Sequence, residues 1–100
     1  QSTAQRLFDA ALVGGGRAAG LDKQGLVVGA RADMLVLDAQ CPGLLGVPTD
    51  YALDALVFAV DGGGIDAVYV AGKQVVKRGQ HVNKELIAQG FVAAMGELWA

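Results

Sequence analysis

Three features of the sequence predict an α+β chain. Gly29 leads into the apolar run Met34-Leu35-Val36-Leu37, too short for a helix and bracketed by Asp33 and Asp38. Residues 65–82 hold two β-branched runs on either side of Gly72-Lys73, the layout of a hairpin. Both ends of the chain place apolar residues at helical spacing. A chain of 100 residues supports one small core, so a second independent domain is not expected.

The elements follow in order. From Ser2 to Ala19, Leu7, Phe8, Ala11, Leu12, Gly15 and Ala18 share one helical face; Ser2 and Gln5 have capping-box spacing and Gly20 supplies the stop. Residues 21–28 form a connector ending in the apolar Leu26-Val27-Val28, after which Gly29 turns the chain into a strand at Met34–Leu37 that is apolar enough to be buried on both faces. Cys41-Pro42-Gly43 and Val47-Pro48-Thr49 mark a loop, because proline extends neither a helix nor a central ladder. Asp50 is placed to cap a short helix carrying Tyr51, Leu53, Leu56, Val57 and Val60 on one side, and Gly62-Gly63-Gly64 ends it. Strands over 65–71 and 74–82 then pair across Gly72-Lys73. Asn83 caps a last helix whose stripe is Leu86, Ile87, Gly90, Phe91, Ala94 and Leu98. The chain thus divides into a helix (1–20), a strand-rich portion with an inserted short helix (21–82) and a closing helix (83–100).

Composition excludes several partners. The hydrophobic fraction is 53% against 18% charged, more apolar surface than a domain of this size hides by itself. The excess is expected to face a partner or further polypeptide, and a first residue that is Gln1 rather than methionine fits a segment. Net charge is -2 with scattered Lys and Arg, so no basic stripe suits a nucleic-acid backbone. No apolar run reaches the roughly 18 residues that span a bilayer, and the start lacks the basic-then-apolar layout of a signal peptide. A lone cysteine, Cys41, cannot close an internal disulfide, which makes the cytoplasm the expected compartment.

Intrinsic chemistry is sparse. One His and one Cys, forty positions apart, cannot supply a zinc site, and HxH, HExxH and CxxC are all missing from the sequence. Asp33, Asp38, Asp54, Asp61 and Asp66 do not have the spacing of a calcium loop, and most fall at helix caps or strand ends. His81, at the hairpin exit, has no acid or nucleophile nearby in sequence, and Cys41 lacks the flanking positive charge that activates a thiol; both read as surface or packing residues. Gly14, Gly16 and Ala19 satisfy G-x-G-x-x-A, but inside a helical pattern where no strand precedes them, so close helix packing is the better reading. Gly72-Lys73 fails as a phosphate loop because Ala67 and Gln74 stand where glycine and a hydroxyl are needed. No catalytic, cofactor-binding or metal-binding residue is assigned to these positions.

Several stretches carry a family resemblance. The string from Gly29 to Asp38 and the hairpin Val68-Tyr69-Val70-Ala71-Gly72 through Val75-Val76 to Gly79-Gln80-His81 resemble the small β-sandwich that flanks the barrel of metal-dependent amidohydrolases. Arg6 to Gly20 looks like the last helix of such a (β/α)8 barrel. Leu7-Phe8-Asp9-Ala10-Ala11-Leu12, followed by Gly14-Gly15, and Asp54-Ala55-Leu56-Val57-Phe58-Ala59 are more narrowly similar to formimidoylglutamate deiminases. The resemblance implies a parent enzyme of histidine breakdown, several times longer, that uses a divalent metal, usually zinc, to hydrolyse N-formimidoyl-L-glutamate to N-formyl-L-glutamate and ammonia. It implies metal ligands upstream of the last barrel helix, none of them in this chain, and a bracing role for the segment itself. Partners then are the barrel and N-terminal strands of the same polypeptide and a small-molecule substrate, with a homodimer among the assemblies to be considered. Other deaminases or hydrolases of the superfamily, acting on guanine, cytosine or triazine rings, and a free-standing non-enzymatic interaction module are the alternatives.

Overall fold

A computed structural model describes residues 2–60 and 62–100; Gln1 and Asp61, each singled out in the sequence, lie outside the described residues. Helix α1 spans Thr3–Ala18. The Ser2 hydroxyl accepts the Gln5 backbone N–H at 3.1 Å, but the Gln5 amide turns forward to the Asp9 carboxylate at 2.9 Å, so half of the capping box forms. The other end closes as expected. Gly20, at φ +75°, lets Leu21 N–H reach the Gly16 carbonyl at 2.8 Å and Gly20 N–H reach that of Arg17 at 3.2 Å, a Schellman pair.

The connector carries Leu26, Val27 and Val28 on the surface, Val28 almost fully exposed. Strand β1 (Met34–Leu37) pairs antiparallel with β2 (Ile65–Val70), which pairs with β3 (Lys73–Lys77), which meets the two-residue β4 (Gln80–His81), giving the sheet order β1-β2-β3-β4. Val36 faces Ala67 while Leu37 faces Ile65, so Asp66 bulges from β2; Val75 bulges from β3 in the same way between Val76 and Gln74. The expected burial of β1 on both faces is corrected. It is an edge strand, and Met34, Leu35 and Val36 remain 37%, 46% and 42% exposed.

Four further boundaries differ from expectation. The hairpin turns at Ala71 and Gly72, with φ of 51° and 79°, one residue before the predicted Gly72-Lys73; a second such pair, Arg78 and Gly79 at 53° and 75°, breaks the predicted 74–82 strand into β3 and β4. Two positive φ values in succession match the twist of the flanking strands, and glycine at the second position makes each turn accessible. Asp50 caps nothing. Pro48 instead accepts the Tyr51 N–H at 2.9 Å and starts a single 3₁₀ turn over Thr49–Tyr51, from which helix α2 (Ala52–Phe58) continues. That helix ends at Phe58, four residues short of the glycine triplet.

Helix α3 runs over Lys84–Trp99. Asn83 occupies its N-cap position as predicted, yet its side chain makes no capping bond and its backbone N–H donates to His81 Nδ1 at 3.0 Å. Packing between elements is concentrated within the sheet and between α1 and α2, and every residue of α3 except Met95 is exposed. Among the described residues only Ala4, Leu44 and Ala67 are buried apolar side chains. The radius of gyration, 16.7 Å, exceeds the roughly 13 Å of a compact domain of this length. Four strands and three α-helices among the described residues make the chain α+β, as expected, but without a filled interior.

Two outcomes follow for the isolated chain. A Cβ at Gly16 would meet Gln24 Cβ at 3.3 Å, whereas one at Gly14 or Gly15 meets nothing within 4 Å. Gly14→Ala and Gly15→Ala are each expected to favour α1 by up to about 1 kcal/mol, and Gly16→Ala to gain less, read by helical circular dichroism through a urea titration. A 16-residue helix packed on almost nothing is marginal. Backbone amides of α3 are therefore expected to exchange with solvent at least about tenfold faster than those of Asp38 and Gly72, which donate across the sheet region to Gly64 and Ala32.

Candidate functional site

Asp33, Asp38, Asp54 and Asp66, the described members of the aspartate set singled out in the sequence, separate in the fold. Asp33, just before β1, lies against Arg31: Nε donates to both carboxylate oxygens at 2.9 and 2.8 Å, and Nη2 to Oδ2 at 2.6 Å. Its Oδ1 also accepts the Ala71 N–H at 2.8 Å, thirty-eight residues on, while the Ala32 carbonyl accepts Gly72 N–H at 2.8 Å. The entry to β1 is thereby tied to the β2–β3 turn. Arg31 and then the Ala71 N–H favour the ionised carboxylate and hold Asp33 below the 3.8 of a free aspartate, and the same ion pair raises Arg31.

Asp38, just after β1, has a different task. Its Oδ1 accepts the Gln40 N–H at 3.0 Å and its carbonyl the Cys41 N–H at 3.1 Å, a local turn that leads into the proline loop. Asp54 lies in the first turn of α2, where a carboxylate suits the helix dipole, and Asp66 is exposed at the bulge of β2. No group of three His, Cys, Asp or Glu side chains comes together among the described residues, so these residues do not fit the divalent metal that the resemblance implies.

His81 and Cys41 occupy separate places. The imidazole accepts a turn N–H through Nδ1, and the Cys41 thiol is free and half-buried in the loop after β1. Gly14, Gly16 and Ala19 sit within or at the end of α1, with no strand leading into them. Of the glycines at 14–16, Gly16 alone makes the close approach that the sequence suggested for this cluster.

What the fold builds is an apolar cleft of about 590 Å³ between the two helices α1 and α2 and the β1–β2 face. Phe8, Leu12, Leu35, Leu56, Val68 and Tyr69 line it, together with the charged Arg31 and Asp33. Sequence reasoning found the separate faces but not their convergence, since periodicity reports which side of an element is apolar and not where that side points. Chemically the cleft offers burial for apolar side chains, while β1, as the edge of the sheet, leaves main-chain hydrogen-bonding groups free in the sheet plane.

Comparison with known proteins extends these observations. No protein-family profile matches the chain. The formimidoylglutamate deiminase of Pseudomonas aeruginosa is 44% identical to it over 92 residues, 92% of this chain and 20% of that protein. A crystal structure of an amidohydrolase from Brucella melitensis superposes with a TM-score of 0.85 at 37% sequence identity, over 100% of this chain and 22% of that one. The resemblance to an amidohydrolase, and to formimidoylglutamate deiminase in particular, is thus borne out along nearly the whole chain. The chain spans about a fifth of the length of either relative.

The Asp33 contacts set a pH dependence. Because the carboxyl is held below its ordinary value, its contribution is complete above the unfolded value of 3.8 and lapses only as pH falls through the lower folded-state value. The Ala71 amide proton, followed by NMR, is expected to shift with a midpoint below 3.8. In Asp33→Asn that titration vanishes and the Ala71 and Gly72 amides exchange faster.

Proposed function

We propose that this chain is the C-terminal structural part of a metal-dependent amidohydrolase whose parent protein hydrolyses N-formimidoyl-L-glutamate. Water adds across the formimino carbon, the C–N bond to the terminal nitrogen breaks, and N-formyl-L-glutamate and ammonia leave. The observation that carries this reading is the 44% identity to a formimidoylglutamate deiminase over 92% of the chain. The match of the whole chain to a 22% segment of an amidohydrolase structure supports the superfamily.

Within that proposal, residues 1–20 are the last helix of a (β/α)8 barrel, residues 21–82 are part of a flanking β-sandwich, and residues 83–100 are a helix on its outside. The divalent metal, zinc by the resemblance, and its ligands belong to the remainder of the polypeptide, as does the substrate pocket. The parent is placed in the cytoplasm. The contribution of this chain is mechanical: α1, β1 and the hairpin offer apolar faces that hold adjoining polypeptide in place. An exposed Leu35 or Phe91 gains stabilisation only when a neighbour removes it from water.

Expression of the complete reading frame tests the activity. The parent is expected to release ammonia from N-formimidoyl-L-glutamate in preference to guanine, cytosine or triazine substrates, and residues 1–100 alone to release none. A parent that acts only on the ring substrates, or a reading frame with no HxH motif or further barrel histidines ahead of this segment, overturns the reading. Phe8→Ala tests the bracing role separately. Phe8 is 37% exposed here, and its truncation is expected to cost the isolated chain less than about 1 kcal/mol. In the parent, where the proposal buries it, the cost is expected to reach about 3 kcal/mol, read as the difference in denaturation midpoints.

A further inference from the structure

We draw no further inference here: the strongest candidate, the apolar cleft between α1, α2 and the β1–β2 face, is an unpartnered surface, and nothing in the structure shows what covers it beyond the adjoining polypeptide already proposed.

Discussion

Main-chain hydrogen bonding and side-chain burial part company in this chain, and most of its other properties follow from that separation. Helices, hairpins and turns satisfy N–H and C=O groups using residues close in sequence, so they form wherever capping and turn chemistry agree. Burial is different in kind, because two apolar faces must meet. Here α1 and α2 meet and the strands pair, but the outer faces of both groups and nearly all of α3 meet nothing. Full burial of one large apolar side chain is worth about 1.5–3 kcal/mol. Leu86, Ile87, Phe91, Leu98 and Trp99, each more than half exposed, leave that stabilisation unrealised.

One contact set reaches far along the sequence without needing a core. Asp33 joins the residue before β1 to the turn after β2, using a charge-assisted bond to Arg31 and a second bond to a backbone amide. Ala71 adopts a positive φ that a residue with a Cβ disfavours, and the Asp33 carboxylate accepts its N–H at that strained position. The carboxylate at the other end of β1, Asp38, only shapes its own loop. The two aspartates that bracket the strand look equivalent in the sequence, yet one fixes register between distant segments and the other ends a strand.

Local chemistry was the legible part. Ser2 and Gly20 bound α1, β1 falls on the four predicted residues, and Asn83 starts α3, because caps and short apolar runs carry their meaning within a few positions. Misplaced boundaries have local causes of their own. Pro48 opened a 3₁₀ turn that took Asp50 away from a capping position, and Gly79 supplied a second tight turn inside what reads as one strand. Burial was not legible for a different reason: Met34–Leu37 is as apolar as an interior strand, but that pattern states what the strand requires and not whether this chain supplies it. The site suffered the same limit. Nothing in the order of Phe8, Leu35, Leu56 and Val68 says that they share a cleft.

Helix α3 discriminates most sharply between a brace and a free-standing module. A surface helix of an autonomous domain carries a polar face, and one apolar on all sides belongs in an interior. From Leu86 to Gly96 α3 carries no charged residue, its charges being Lys84 and Glu85 at the start and Glu97 near the end. A domain that presented this surface to water as its normal state would associate with itself or precipitate. The same surface is consistent with the proposed segment of a longer protein, in which further polypeptide would provide the area against which such a helix packs; the chain spans about a fifth of the length of either relative. The apolar excess that weakens the chain in isolation is, on that account, the means by which it would be held to the rest.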